Sequence, residues 1–135
     1  MPIRKRKRIL IADDDEHLVA VLTRRCESMG LSVVRAYDAR QALQTVLQCP
    51  PDLICIDVNM PAGDGLSVCE VLSRDEDASK IPVIVLTGRD DVHTKRRCDE
   101  LCAYYLRKCP NMWFRVRPVI EELIDVSSVT TETTF

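Results

Sequence analysis

The sequence predicts an α/β fold in which a doubly wound, five-stranded parallel sheet carries helices on both faces. Five short apolar runs alternate with segments whose apolar residues have helical spacing. The chain has 135 residues, which is close to the commonest size of a single domain. No apolar run approaches the roughly 20 residues that a membrane span requires. We therefore expect one α/β domain and no membrane span.

The predicted strands are short, rich in β-branched residues, and separated by enough chain for a helical crossover. They cover residues 8–13, 32–37, 53–58, 82–88 and 103–108. Crossovers between parallel strands are right-handed, which distributes the helices over both faces of the sheet. Among the common five-stranded arrangements of this kind is the strand order 2-1-3-4-5.

The predicted helices fill the gaps between the strands and follow the last one. They cover residues 15–30, 39–48, 66–75, 92–102 and 119–126. The first ends at Gly30, a residue suited to a helix C-terminus, and the second stops before Pro50. Pro118 lies within the pattern of the last helix, where it would remove a backbone hydrogen bond and kink the helix, or would mark a late helix start.

The two ends of the chain differ in composition from the middle. Residues 4–8 read RKRKR, and removing these five from the 19 basic residues leaves 14 against 21 acidic ones, a net charge of −7. Such a run could contact nucleic acid or anionic lipid, although a short basic run is more often a solvated leader. We expect a basic arm at 1–7, a folded domain at 8–126, a flexible Ser/Thr-rich tail at 127–135, and no room for a DNA-binding domain.

The seven cysteines are odd in number, scattered, and without a Cys-x-x-Cys pair. This usage favours free thiols in a reducing, cytoplasmic setting over a disulfide scaffold, and no secretory signal is visible. Cys98 and Cys102 are four residues apart and could share a helix face. No neighbouring histidine completes a zinc ligand set, so we do not expect zinc.

Acidic residues end two strands that are neighbours in the order 2-1-3-4-5. Asp57 ends the third strand, and Asp13 and Asp14 end the first, at the edge where this fold binds ligands. Three such carboxylates repel each other, which raises pKa values or recruits a cation such as Mg²⁺. The alternative is that Asp13, Asp14 and Asp15 only cap the first helix, which would leave Asp57 unexplained.

Polar residues also end the last two strands. Thr87 closes the fourth strand and Lys108 closes the fifth. Alone, Thr87 would more often be a helix N-cap and Lys108 a solvated strand end. Together with the three acids they would place a hydroxyl and an ammonium group around one site.

In this order and spacing the motifs ADDD, IDVNMPAGDG, LTG and YLRK resemble those of a response-regulator receiver domain. The resemblance covers roughly residues 8–126 and implies the flavodoxin-like strand order 2-1-3-4-5. It implies that Asp57 is the phosphoacceptor for a histidine kinase or histidine phosphotransfer protein. It further implies that Asp14, Asp57 and the backbone carbonyl of Asn59 bind Mg²⁺, that Asp13 assists through the water shell of the ion, and that Lys108 pairs with the phosphoryl group.

The resemblance also implies a switch with a protein output. Thr87 would hydrogen-bond the phosphoryl group and Tyr105 would turn inward, unless Tyr105 is simply a half-buried aromatic with a fixed rotamer. The active form would bind a partner through the face of the fourth helix, fifth strand and last helix, and could dimerise transiently. Catalysis would be limited to self-phosphorylation and autodephosphorylation. Cys109 separates Lys108 from Pro110, where the family usually has proline directly after the lysine.

Other readings of the same residues remain open. A pseudo-receiver would keep the fold as an interaction module without phosphorylation, and the chain could be the receiver fragment of a longer regulator. An aspartate-nucleophile phosphatase would need a second acid where Asn59 stands. A flavodoxin-type flavin carrier would need a Ser, Thr and Gly-rich phosphate loop where ADDDEH stands. Arg89 and Asn59 occupy positions where the family tunes dephosphorylation.

Overall fold

The computed structural model describes residues 6–88 and 91–125. Its strands are β1 (Arg8–Ala12), β2 (Ser32–Ala36), β3 (Leu53–Asp57), β4 (Val83–Thr87) and β5 (Tyr104–Arg107). All pair in parallel in the order β2-β1-β3-β4-β5. The fold class and strand order predicted from the sequence are confirmed, and each predicted strand differs from the observed one by at most one residue at either end.

Helices cover both faces of the sheet. They are α1 (Glu16–Ser28), α2 (Ala39–Gln48), α3 (Gly65–Ser73), α4 (Val92–Glu100) and α5 (Trp113–Leu123), with one 3-10 turn at Ala78–Lys80. Buried residues of α1 and α5 pack on one face, and those of α2, α3 and α4 pack on the other. None of these helices, in the part of the chain that the structure describes, is long and apolar enough to cross a membrane.

The third strand is buried along its whole length because helices cover both of its faces. Leu53 and Cys55 join the core beneath α1 and α5, whereas Ile54 and Ile56 join the core beneath α2, α3 and α4. A strand buried on two sides reads as a continuous apolar run rather than as an alternating one. Asp57 continues this run and remains 5% exposed.

The last helix contains Pro118, which was one of the two interpretations of its pattern. Residues 119–126 were expected to be helical, but α5 begins at Trp113 and includes Pro118 as its sixth residue. The late start at Pro118 is therefore wrong. Proline cannot donate the backbone hydrogen bond that would reach Phe114. Val116 and Ile120, four residues apart on one helix face, are nearly fully buried against the sheet, and this packing offsets the loss.

Two helices end in the same kind of turn. After α1, the amide of Leu31 donates to the carbonyl of Cys26, and Gly30 takes a φ of 92°. After α4, the amide of Ala103 donates to the carbonyl of Cys98. These are Schellman turns, which require a left-handed residue. At the second turn Cys102 takes that conformation, with a φ of 56°, although it carries a Cβ.

All seven cysteines are free. Burial raises the pKa of Cys26 and Cys69 to about 12 and that of Cys98 to about 11, so these thiols stay protonated near neutral pH. Cys98 is buried in α4, whereas Cys102 is exposed beyond its end. The two therefore do not share a helix face.

Several expectations fall on parts of the chain that the structure leaves undescribed. They are the first five residues of the basic arm, residue 126 of the predicted last helix, the tail at 127–135, and the position of Arg89.

Candidate functional site

Three carboxylates meet at the carboxyl ends of β1 and β3. One oxygen from each of Asp13, Asp14 and Asp57 lies within 4.8 Å of the others. Asp13 and Asp57 are buried, at 2% and 5% exposure, whereas Asp14 is exposed to solvent. The parallel pairing of β1 with β3, with Ala12 opposite Ile56, produces this convergence because the next residue on each strand is an aspartate.

Lys108 brings a positive charge to two of these carboxylates. Its Nζ lies 2.7 Å from Oδ2 of Asp13 and 3.2 Å from Oδ1 of Asp57. The position of its backbone is fixed because the amide of Lys108 donates to the carbonyl of Thr87 at 2.7 Å. The insertion of Cys109 before Pro110 thus leaves the lysine directed into the acid cluster.

The charges around Asp57 do not balance. Burial raises the pKa of Asp57, and the neighbouring charge of Asp13 raises it further. Lys108 and a hydrogen bond from the backbone of Asn59 oppose this effect but do not cancel it. Burial alone would lower the pKa of Lys108, yet the hydrogen bond and charge of Asp13, together with Asp57, hold it above its ordinary value. Two buried carboxylates share one cation, which leaves excess negative charge at the site.

The neighbouring residue Asp15 is the N-cap of α1. Its Oδ1 accepts from the amides of His17 and Leu18, both at 3.1 Å, and so caps α1. Oδ1 of Asp13 accepts from the amide of Asp15 at 2.9 Å and shapes the turn before the helix. Capping therefore accounts for Asp15 and for one oxygen of Asp13, but not for the position of Asp14 or Asp57.

The loop after β3 packs directly on the backbone of Asp57. The amide of Gly65 donates to the carbonyl of Val58 at 2.8 Å, and a Cβ on Gly65 would overlap the carbonyl oxygen of Asp57. Asp64 caps α3 by accepting from the amide of Ser67 at 2.7 Å. The sequence reasoning missed the role of Gly65. The sequence did carry a signal for this role. Glycine is a poor helix former, so a glycine at the start of a predicted helix indicates that a side chain would not fit there.

The next two residues of interest lie on one face of the sheet. Thr87 ends β4 and is 2% exposed, and Tyr105 is half-buried in β5. The register pairs Thr87 with Arg107 and Val85 with Tyr105, so Thr87 and Tyr105 are two steps apart on the same side. Tyr105 packs against the core beneath α2, α3 and α4. The structure thus brings Asp13, Asp14, Asp57, Thr87 and Lys108 to one edge of the sheet, with Asn59 in the exposed loop beside it.

Comparisons with known proteins agree with this fold. The family model described as response regulator receiver domain matches residues 9–111. The chain is 38% identical over 88 residues to the DNA-binding dual master transcriptional regulator RpaA of Synechocystis, and the match covers 65% of this chain and 36% of RpaA. The matched segments span about a third of the length of such curated relatives.

Solved structures have the same fold. The phosphorylated cyanobacterial phytochrome response regulator RcpA superimposes with a TM-score of 0.78 at 25% identity, covering 87% of this chain and 93% of RcpA. The receiver domain of the sensor histidine kinase PA1611 from Pseudomonas aeruginosa superimposes with a TM-score of 0.79 at 22% identity, covering 88% of this chain and 98% of that domain. That domain holds a magnesium ion in its active-site cleft.

Proposed function

The chain belongs to the response regulator receiver domain family, and we propose that it acts as a phosphorylation-dependent signalling switch with Asp57 as the phosphoacceptor. The observation that carries the proposal is the position of Asp57, buried between Asp13 and the ammonium group of Lys108, which lies 3.2 Å from it. A carboxylate held in this way can attack a phosphorus atom while a neighbouring cation balances the added charge.

In the proposed step, a carboxylate oxygen of Asp57 forms a bond to the phosphorus of a phosphohistidine. The bond between phosphorus and the histidine nitrogen breaks, and that nitrogen keeps the electron pair. Lys108 is placed to pair with one phosphoryl oxygen, and the buried hydroxyl group of Thr87 to donate to another. The donor would be a histidine kinase or a histidine phosphotransfer protein. Catalysis by this chain would extend no further than its own phosphorylation and dephosphorylation.

The acid cluster fits a magnesium ion by the chemistry of its donors. Asp13, Asp14 and Asp57 supply only oxygen atoms, which hard divalent cations prefer. Burial, and after it the charge of Asp13, raises the pKa of Asp57 despite the nearby Lys108. We propose that Asp14, Asp57 and the carbonyl of Asn59 hold Mg²⁺, with Asp13 acting through a water. A bound Mg²⁺ supplies charge neutralisation for the phosphoryl oxygens. The magnesium in the cleft of PA1611 is consistent with this assignment.

The switch would run from Thr87 to Tyr105. A phosphoryl group adds about −1.5 to −2 charges and strong acceptor oxygens. Movement of Thr87 toward them would free space on the face of the sheet where Tyr105 packs. The proposed output surface consists of α4, β5 and α5, where Val92, Tyr104 and Phe114 are exposed. Binding of a protein partner there, or transient dimerisation, would be the output.

The organisation of the chain is also a proposal. A basic arm at 1–7, a receiver domain at 8–126 and a flexible tail at 127–135 fit the compositions of these segments. The seven free cysteines support a reducing compartment such as the cytoplasm. Because the match covers only 36% of RpaA, this domain could equally serve as the receiver part of a longer regulator.

The test is intact mass after incubation with acetyl phosphate or phosphoramidate, with and without Mg²⁺, for the parent and for Asp57→Asn. We expect a Mg²⁺-dependent gain of one phosphoryl group in the parent and none in the variant. A gain that persists in Asp57→Asn would show that another residue is the acceptor. No gain from these donors or from a phosphorylated histidine phosphotransfer protein, with Mg²⁺ binding intact, would establish the pseudo-receiver alternative.

A further inference from the structure

We propose that the edge of the sheet opposite the acid cluster binds the phosphates of a nucleic-acid backbone through a basic surface. This surface, called here the basic edge, consists of Arg6, Lys7, Arg8, Arg24 and Arg25. The first three lead into β1 or begin it, and the last two lie near the end of α1, which packs on β1 and β2 and ends at the same edge.

A cleft gives the basic edge a defined shape. Arg6, Lys7 and Arg8 line a cavity of about 230 Å³ together with Pro50 and Asp52. Three consecutive cationic residues thus contribute to one opening. A surface of this kind attracts the phosphate groups of a polyanion without reading its sequence.

Backbone hydrogen bonds hold this segment on a rigid support. The carbonyl of Lys7 accepts from the amide of Ser32 at 2.9 Å, and the carbonyl of Arg8 accepts from the amide of Asp52 at 2.8 Å. Oδ2 of Asp52 accepts from the amide of Arg8 at 2.7 Å, so this oxygen is engaged by the main chain. The side chains of Lys7 and Arg8 therefore extend from a fixed backbone, which lowers the entropy cost of binding.

The side chains of the basic edge lack direct ion-pair partners among the described residues. None of its five side chains forms an ion pair within residues 6–88 and 91–125. The guanidinium of Arg8 donates to Sγ of Cys49, a contact between side chains that leaves the arginine charge in place. Asp52 is the carboxylate among the residues that line the cleft, where the three cations exceed it by two, and the neighbouring cavity beyond Pro50 is lined by Asp75 and Asp77. Residues 4 and 5, which precede the cleft in the sequence, are also basic.

The composition of the edge favours nucleic acid over a membrane surface. Membrane-surface segments combine cations with a face of Trp, Phe or Leu that enters the lipid. Among the large apolar side chains found exposed, only Leu47 lies near this cleft, in the last turn of α2. One leucine gives no apolar face, so recognition would depend on charge and would fall steeply with salt.

The basic edge is independent of the proposed phosphorylation. Arg8 begins β1, and Asp13 follows the other end of this strand, so the two sites lie at opposite edges of the sheet. The unphosphorylated protein should therefore bind nucleic acid. If the protein did not bind nucleic acid, the proposal that Asp57 is the phosphoacceptor would be unaffected. If Asp57 were not phosphorylated, the nucleic-acid proposal would be unaffected.

The test uses the full chain without phosphodonor and a fluorescein-labelled 20-base-pair DNA duplex of arbitrary sequence. Fluorescence anisotropy is measured between about 20 and 200 mM KCl. We expect a Kd within the non-specific range of roughly 10⁻⁴ to 10⁻⁶ M at the low-salt end, with a log–log salt slope of about −3 to −5 for three to five phosphate contacts. The double variant Arg6→Gln/Lys7→Gln should flatten the slope by about 2 and weaken binding at low salt at least tenfold.

The matched control is Lys95→Gln/Arg96→Gln, which removes the same charge from exposed positions of α4. It should leave the salt slope within about half a unit of the parent, and both double variants should keep the parent melting temperature. Equal losses in the two variants would overturn the proposal, because net charge alone would then explain binding. Absence of salt-dependent binding would also overturn it. So would preferential binding to vesicles of phosphatidylcholine with phosphatidylglycerol over the duplex at equal salt.

Discussion

The ammonium nitrogen of Lys108 lies 3.2 Å from Oδ1 of Asp57 and 2.7 Å from Oδ2 of Asp13. One cation from the last strand thus holds two carboxylates that end two other strands. Both carboxylates are nearly buried and the lysine side chain is 24% exposed, so solvent screens the contacts only in part. We therefore expect the stability of the unliganded protein and the proposed phosphorylation to depend on the same three side chains.

Replacing Lys108 should destabilise the protein and slow its phosphorylation. In Lys108→Gln the two buried carboxylates lose their cation, which we expect to lower the free energy of unfolding by about 2 kcal/mol. This loss of stability is small for a broken buried ion pair, because Asp57 can take up a proton and so lose its unpaired charge. Urea unfolding measures the first effect and intact mass against time with acetyl phosphate measures the second. Lys95→Gln, at an exposed position of α4, is the control, and an equal loss in both would contradict the assignment.

Asp57 should destabilise the unliganded protein as the pH rises. Because burial and Asp13 raise the pKa of Asp57 in the folded state, the folded protein holds this proton more tightly than the unfolded chain does. Its contribution to stability is full below the ordinary carboxyl pKa of about 3.9 and is lost as pH rises through the raised pKa. Asp57→Asn should therefore be more stable than the parent at pH 7, with the difference shrinking toward pH 3.5. Urea unfolding without Mg²⁺ measures the free energy of unfolding of both proteins between about pH 3.5 and pH 7. A difference between them that did not change with pH would contradict the prediction.

Magnesium should stabilise the protein through Asp14 and not through its neighbour Asp15. Binding to the folded state alone adds about 1.4 kcal/mol at ten times the Kd. Asp14→Asn should lose most of this gain, because a neutral amide is a weaker ligand for a hard cation. Asp15→Asn should keep it, since asparagine is as good an N-cap as aspartate. Melting temperature against Mg²⁺ concentration, with EDTA as the zero point, distinguishes the two. Equal responses would place the ion elsewhere.

Gly65 should tolerate no side chain, whereas Gly88 should tolerate one. A Cβ at Gly65 would overlap the carbonyl oxygen of Asp57, but a Cβ at Gly88 would meet no atom of the described residues within 4 Å. We expect Gly65→Ala to cost about 3 kcal/mol of stability, because the start of α3 must move away from the strand. It should also slow phosphorylation by displacing Asp57. Gly88→Ala should change stability by less than about 0.5 kcal/mol. Urea unfolding of both variants tests the contrast.

Replacing the left-handed residue after α4 by glycine should stabilise the protein. Cys102 adopts a φ of 56° in a Schellman turn that elsewhere in this chain uses Gly30. Cys102→Gly should raise the free energy of unfolding by about 0.5–1 kcal/mol, since glycine takes this conformation without a steric cost. Gly30→Ala should lower it by about 1 kcal/mol for the same reason. Melting temperatures that move in the same direction would contradict this reading of the two turns.

The strands and most helices could be predicted because their signals are local. The continuous apolar run from Leu53 to Ile56 indicated a strand buried on both faces, and Gly30 marked the end of α1. The start of α5 could not be read in this way. Pro118 is a strong local signal against a helix, and only the burial of Val116 and Ile120 against the sheet outweighs it.

By itself the sequence determined which chemical groups the protein carries and at which strand ends they stand. The parallel α/β pattern predicted that Asp13, Asp14, Asp57, Thr87 and Lys108 would share one edge, because the carboxyl ends of parallel strands meet there. Tertiary structure decided which of the acidic residues caps a helix, which stays exposed and which pair with the lysine. Asp15 caps a helix while Asp14 stays exposed, and Lys108 bridges Asp13 and Asp57 across three strands. Such distances depend on register, burial and the packing of Gly65 on Asp57, which involve residues far apart in the chain and leave no local signal in the sequence.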